Sequence, residues 1–172
     1  MAALFYRLDA LIMWTMGWII IFTNLAVAGL ILFLVLARFV LGWSVVGVLE
    51  LGTLSAMWLY MCGAVVATRN RQHLVVDFLS HSLTNTRIRA LHNLAVSVIM
   101  VVLSLFFLGL AHDMLAWSIK RPQTTAALSL PLMLPQAAIV MASVLFIIYA
   151  LRDLALAVLT FIGRPLPDKS EG

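Results

Sequence analysis

The sequence predicts an all-α integral membrane protein with four transmembrane helices and a short cytoplasmic interfacial amphipathic helix. Of its 172 residues, 64% are hydrophobic and only 10% are charged, whereas about a quarter of the residues of a soluble domain are charged. Residues 10–37 contain no charged residue, and about 20 apolar residues suffice for a helix to cross a bilayer. Charged residues and prolines divide the remaining chain into three further apolar segments.

The four spans are predicted to form a single membrane domain over residues 1–172. Trp14 and Trp18 near the start of the first span suit the membrane interface, where aromatic side chains are enriched. The second span has one charged residue, Glu50, in its first helical turn. Pro135 favours a helix start, because proline is tolerated in the first turn and disruptive further on. The predicted spans are residues 11–39, 45–68, 88–117 and 135–161.

A short amphipathic helix is predicted over residues 73–84, between the second and third spans. Its polar side chains fall within one arc of about 100° on a helical wheel. The segment is too short and too polar to span the bilayer, so we expect it to lie in the cytoplasmic interface. The polar arc consists of His73, Asp77, Ser80, His81 and Thr84.

The distribution of basic residues predicts that both termini are cytoplasmic. Positively charged residues are enriched in cytoplasmic loops, and four spans place both termini on one side. We therefore attribute the net charge of +4 to topology and lipid headgroups and not to nucleic acid. Only Arg38, Lys120 and Arg121 fall on the outer side. The cytoplasmic set is Arg7, Arg69, Arg71, Arg87, Arg89, Arg152, Arg164 and Lys169.

The residues that follow the second span are interpreted as a structural junction where the chain leaves the membrane. His73 and Asp77 are four residues apart, so their side chains can meet on a helix. A hydrogen-bonded or ionic pair that fixes the junction is the favoured interpretation, and a proton-handling or metal pair is the alternative. Arg69 and Arg71 complete the junction. Four arginines are candidates for lipid headgroup contacts: Arg69, Arg71, Arg87 and Arg89.

The second span offers two surfaces for contacts with other helices. Glu50 lies near the outer interface, where a structural anchor or an inter-subunit contact is favoured over ion binding, although a carboxylate inside a bilayer is often functional. Small residues form a stripe roughly opposite Glu50, and such stripes let helices approach closely in lipid. The stripe consists of Gly52, Ala56, Gly63 and Ala67.

No residue pattern indicates catalysis, a cofactor or a metal site. The lone Cys62 excludes a disulfide within the chain. His92 and His112 both lie on the third span, whereas haem in a helical bundle needs ligands that face each other from different helices. We find no nucleotide-binding loop, no Ser–His–Asp arrangement and no acidic cluster, so the chain is not expected to be an enzyme.

Two motifs, taken in their order along the chain, resemble the small membrane subunit of tripartite ATP-independent periplasmic (TRAP) transporters, the DctQ-like family. The first is "ELGTLSAMWLYMCGAVVATRNRQHLVVDFL" (50–79), and the second is "TTAALSLPLMLP" (124–135), which precedes the last helix. Size, helix count and predicted orientation agree with the family as well. The first motif is carried by Glu50, Trp58, Gly63-Ala64, Arg69, His73 and Val76-Asp77.

The resemblance implies a function in sodium-coupled uptake of organic acids across the bacterial inner membrane. The implied partners are a large multi-span membrane subunit, for which this chain is a scaffold, and a periplasmic substrate-binding protein. Lys120 and Arg121 face the side where that binding protein arrives and are candidates for docking it. The alternative is a haem- or quinone-associated anchor subunit of a redox complex. Candidates for the interface with the large subunit are Glu50, Gly52, Ala56, Trp58, Gly63 and Ala67.

Overall fold

The structure is a computed structural model that describes residues 2–70 and 86–162. The described chain forms four α-helices: α1 (Ala2–Phe39), α2 (Val46–Arg69), α3 (Thr86–Lys120) and α4 (Met133–Phe161). Each contains a segment long and apolar enough to cross a membrane, which confirms the predicted fold class. The predicted interfacial helix over residues 73–84 lies outside the described residues. The candidate spans are Asp9–Phe39, Val46–Arg69, Leu91–Lys120 and Met133–Phe161.

A tight turn ends α1 and leads directly into α2. Gly42 has a φ of 67°, in the left-handed region that glycine adopts without steric cost. The backbone amides of Val40 and Trp43 donate to the carbonyls of Leu36 and Ala37, each at 2.9 Å. The last carbonyls of α1 therefore have hydrogen-bond partners in the turn, as helix ends require.

The chain divides into two compact units. One unit comprises Met1–Val66 and Ala111–Ala142, and the other comprises Ala67–Leu110 and Ser143–Gly172. Each unit buries mainly small side chains on the later helices, which lets helix backbones approach closely. In the first unit these are Ala111, Ser118, Ala138 and Ala142, and in the second they are Ser104, Ser143, Ala150 and Ala157.

Within the first unit, α1 is buried along one narrow line. Met16, Thr23 and Ala37 are buried, and their separations are multiples of seven residues, as expected for a seam between helices that cross at a shallow angle. The Thr23 hydroxyl is satisfied inside its own helix, since it donates to a backbone carbonyl at 2.6 Å. Most other large side chains of α1 are exposed, Phe22 and Leu25 to 73% each, so this helix presents a wide apolar surface.

Within the second unit, small buried residues of α4 recur every seven positions. Ser143, Ala150 and Ala157 follow this spacing and are buried. Phe107 and Phe146 pack beside them with ring centroids 5.8 Å apart. From the sequence, a small-residue stripe is predicted on the second span alone. The spacing of small residues on the last span, visible in the sequence, is the signal that would have located this packing face.

Candidate functional site

The carboxylate of Glu50 binds the loop that connects α3 to α4, which we call the outer loop (121–132). Its Oε1 accepts a hydrogen bond from the Ala127 amide at 2.8 Å, and its Oε2 accepts one from the Leu128 amide at 2.9 Å. Hydrogen bonds to an ionised acceptor are roughly twice as strong as neutral ones. Successive backbone amides that point at one anion form a nest, and Glu50 fills this nest from the first turns of α2.

The outer loop closes on itself and thereby aims those amides. Thr124 and Pro131 form an antiparallel bridge. The Thr125 amide donates to the Leu130 carbonyl at 2.9 Å, and the Leu130 amide donates to the Thr125 hydroxyl at 3.0 Å. Ser129 adopts a φ of 52°, an uncommon left-handed conformation for a residue other than glycine. The chain reverses direction here, which exposes consecutive amides to Glu50.

Two further contacts attach the outer loop and the start of α4 to the same face of α2. A Cβ placed on Gly47 would lie 2.9 Å from Leu128 Cγ, so only glycine lets Leu128 come this close. Eight residues beyond Glu50, Trp58 Nε1 donates to the Leu134 carbonyl at 3.2 Å. Gly47, Glu50 and Trp58 fall within about 80° on a helical wheel. We call this side of α2 the loop face.

A small cavity lies beside the Glu50 carboxylate, between α2 and the outer loop. Its volume is about 150 Å³, below the roughly 300–1,000 Å³ of ordinary ligand pockets. Its walls are mostly apolar, so it resembles a packing gap with one charged side and not a pocket for an organic acid. The lining residues are Glu50, Thr53, Leu54, Thr125, Leu130, Pro131, Leu132 and Pro135.

The predicted small-residue stripe lies on the opposite side of α2, is half-buried, and leaves room for a side chain at its two glycines. Outside the backbone of α2 itself, a Cβ added to Gly52 or Gly63 would meet no heavy atom of the described residues within 4 Å. The fully buried side chains of this helix, Cys62 and Val65, point towards the loop face by their helical positions. The described part of the chain therefore does not pack closely against the stripe at either glycine. We call this surface, formed by Gly52, Ala56, Gly63 and Ala67, the open face.

Lys120 and Arg121 stand where α3 meets the outer loop. Both are exposed, and within residues 2–70 and 86–162 neither forms an ion pair. The Arg121 amide donates to the Trp117 carbonyl at 2.9 Å, which continues the helical hydrogen bonding by one residue. The backbone that carries the two positive charges is therefore held by helical hydrogen bonds.

At the other end of α2, an arginine of α4 caps the helix. Arg152 Nη2 donates to the Arg69 carbonyl at 2.9 Å, and its guanidinium also pairs with Asp153 Oδ1 at 2.9 Å. The same group lies 5.1 Å from the centroid of the Tyr149 ring, within range of a cation–π contact. Sequence reasoning counted Arg152 only as a topology signal. Its position beside an acid inside an apolar helix is the signal that would have suggested a specific partner.

The other junction residues and two of the lipid headgroup candidates lie wholly or partly outside the described part of the chain. Arg71, His73 and Asp77 fall outside the described residues. Arg87 and Arg89 belong to α3, but their side chains are not described. Their assignments stay predictions, whereas the Arg69 carbonyl has a defined partner.

The histidines of α3 do not form a cofactor site among the described residues. Twenty residues of helix separate His92 from His112, which corresponds to about 30 Å along the axis. His112 Nδ1 lies 3.5 Å from Asp113 Oδ1, and both side chains are largely exposed. The part of the chain that the structure describes contains no group of three or more potential metal ligands.

Four long apolar helices that bury small side chains define a multi-pass membrane protein. Residues 27–160 match the family model described as "Tripartite ATP-independent periplasmic transporters, DctQ component". Because the match covers well over half of the chain, this protein belongs to the DctQ family of TRAP transporter components. The predicted resemblance is confirmed, and the redox-anchor alternative is not favoured. A comparison with curated proteins gave no match.

Proposed function

We propose that the chain is the small permease subunit of a sodium-coupled TRAP transporter for organic acid uptake. It serves as a membrane scaffold for the large multi-span subunit and contributes to docking of the periplasmic substrate-binding protein. Membership of the DctQ family supports assignment to this type of complex. The scaffold role depends above all on one observation, the open face of α2, where a Cβ added to Gly52 or Gly63 would meet no other part of the described residues within 4 Å.

Transport of the substrate is assigned to the large subunit. The cavity beside Glu50, at about 150 Å³, is small for a ligand site. Glu50 would also place a negative charge against the carboxylate of an organic acid. We therefore propose an architectural contribution for the small subunit, in which its surfaces hold the large subunit in place while substrate moves through that partner.

The large subunit is proposed to cover the open face of α2. In lipid, helix association relies on close packing, because lipid tails are as apolar as leucine. Glycine at positions 52 and 63 permits a partner helix to approach the backbone of α2. The exposed surface of α1 offers additional apolar area, part of which would face lipid. Trp58 and Glu50 contact the chain's own outer loop, so we place the interface mainly on the stripe.

Both termini are proposed to be cytoplasmic, with the outer loop in the periplasm of the bacterial cell. The positive-inside rule supports this orientation, since Arg7, Arg69 and Arg152 lie towards one end of the spans and fewer basic residues lie towards the other. Lys120 and Arg121 would then face the binding protein and attract acidic residues on it. Contacts with lipid phosphates at the cytoplasmic surface are proposed for Arg69, Arg71, Arg87 and Arg89.

Co-purification and reconstitution test the proposed function. The tagged chain, coexpressed with the large subunit, should purify with it in a fixed ratio. In proteoliposomes that contain both subunits, an imposed sodium gradient should drive uptake of the organic acid that the binding protein delivers. A potassium gradient of equal size is the control. Equal uptake under both gradients would contradict sodium coupling, and uptake by the large subunit alone at the full rate would contradict the scaffold role.

A further inference from the structure

We propose that Glu50 is a positioning residue for docking. It holds the outer loop in the shape that presents Lys120 and Arg121 to an acidic surface of the binding protein. The inference rests on the docking role proposed above, and it goes further by assigning a function to a residue that does not itself contact the binding protein.

Backbone and side-chain contacts hold the outer loop against α2. Each carboxylate oxygen of Glu50 accepts a hydrogen bond from a backbone amide, one from Ala127 at 2.8 Å and the other from Leu128 at 2.9 Å. The Leu128 side chain also lies against Gly47, where a Cβ would come within 2.9 Å of it. The loop therefore contacts the first turns of α2 through its backbone and through a side chain. These contacts exist in the chain alone, before any partner binds.

A hydrogen bond near the base of the outer loop connects the tip of the loop to its basic end. The Leu132 amide donates to the Gln123 carbonyl at 3.0 Å, so the two strands of the loop are joined near their base. Arg121 lies two residues before Gln123. A change in the position of the loop tip is thus transmitted through a closed, hydrogen-bonded segment to the backbone that carries Arg121. Binding is favoured when such a segment is ordered in advance, because the ordering cost is not paid on association.

The distribution of charge around the outer loop also favours docking. The negative charge of Glu50 is directed into the amide nest of the loop, whereas Lys120 and Arg121 are exposed and form no ion pair within the described residues. The loop end of α3 consequently presents two positive charges while the nearby carboxylate is engaged. This arrangement fits a protein partner with acidic side chains, since complementary charges across an interface favour the correct encounter.

The test uses the assembled complex of both membrane subunits in lipid nanodiscs, with its own binding protein as the probe. Binding affinity is measured by interferometry, and amide hydrogen exchange is measured over the outer loop. Glu50→Gln should accelerate exchange at Ala127 and Leu128 and weaken the binding protein's affinity by roughly three- to tenfold. Asp113→Asn removes the same charge from an exposed carboxylate of α3 and should change neither quantity.

Gly47→Ala is the second variant, and it keeps every charge. Its Cβ would displace Leu128, so it should accelerate exchange in the loop and weaken docking in the same direction as Glu50→Gln. This variant tests the inference if the Glu50 variant fails to assemble. Unchanged affinity with either variant, despite faster exchange, would overturn the positioning role. Equal effects of Glu50→Gln and Asp113→Asn would also overturn it, because net charge would then suffice.

A double charge reversal separates this inference from the docking proposal on which it rests. Lys120→Glu with Arg121→Glu should weaken the binding protein's affinity more than Glu50→Gln does. The control, Arg7→Glu, reverses the charge of an exposed basic residue near the start of α1, on the side proposed to be cytoplasmic. If the double reversal leaves affinity unchanged, the docking proposal fails. If it weakens affinity while Glu50→Gln leaves both affinity and loop exchange unchanged, only the positioning role fails.

Discussion

Leucine introduced at two small residues of the first unit should affect two different properties, the stability of the chain at one position and its assembly with the large subunit at the other. Gly63 lies on the open face of α2, where a Cβ meets nothing within 4 Å. Ala142 of α4 has no exposed surface. We therefore compare Gly63→Leu with Ala142→Leu, first in the chain purified alone and then in the complex with the large subunit.

The structure sets the expected magnitudes. Leucine at position 142 adds three carbon atoms to a filled site, and overpacking of this kind costs about 1–3 kcal/mol. This corresponds to a decrease of roughly 2–12 °C in the apparent melting temperature of a chain of this size. Leucine at position 63 enters open space and replaces a residue with poor helix propensity, so the isolated chain should be unchanged or stabilised by less than about 1 kcal/mol.

In the complex, the expected effect of Gly63→Leu reverses. A leucine on the open face would hold the partner helix away from α2, and a loss of close packing of about 1–3 kcal/mol corresponds to a five- to 150-fold weaker association. Fluorescence-detected size-exclusion chromatography of a fusion protein reports both the melting temperature and the recovered complex. If Gly63→Leu destabilised the isolated chain, Gly63 would not face open space. A normal yield of complex would refute its use as the interface.

Two further predictions concern hydrogen bonds between α2 and α4. Trp58→Phe removes the donor to the Leu134 carbonyl and should destabilise the chain by about 0.6–1 kcal/mol, as for other hydrogen bonds between membrane helices; Trp43→Phe, at an exposed site, is the control in the same melting assay. Arg152→Gln removes a charged hydrogen bond to the Arg69 carbonyl and should cost about 1.5–3 kcal/mol. It should also accelerate amide exchange in the last turn of α2, and Arg152→Lys should restore only part of the loss, since lysine lacks the planar fork. Unchanged exchange there would show that the cap is unimportant.

The membrane architecture was predictable because the bilayer imposes its requirements on composition and segment length. The second span was predicted over residues 45–68, and α2 occupies Val46–Arg69. Prolines and charges mark such boundaries directly in the sequence. The internal packing was less accessible, because alanine and serine are common on all faces of membrane helices. Only the structure shows that Ser143, Ala150 and Ala157 are buried while Gly52 and Gly63 remain open.

The partner of Glu50 could not be inferred from residue types. Its donors are the backbone amides of Ala127 and Leu128, which every residue except proline possesses, so no side-chain pattern identifies them. They converge because the outer loop reverses at Ser129 in a left-handed conformation, although serine rarely adopts it. The sequence contained both halves of this contact, as the opening Glu50 of one motif and the "TTAALSLPLMLP" segment of the other, but not their connection.

This connection gives α2 two surfaces, for which we propose separable functions. The loop face holds the outer loop through Glu50 and the start of α4 through Trp58, whereas the open face contributes nothing to those contacts. Substitutions on the open face should therefore reduce assembly with the large subunit and leave loop exchange unchanged. Substitutions on the loop face should alter the loop and leave assembly largely intact. Since the two surfaces lie on opposite sides of one helix, a partner packed on the open face would leave the contacts of the outer loop intact. The helix α2 would thus link the proposed scaffold role to the proposed docking role.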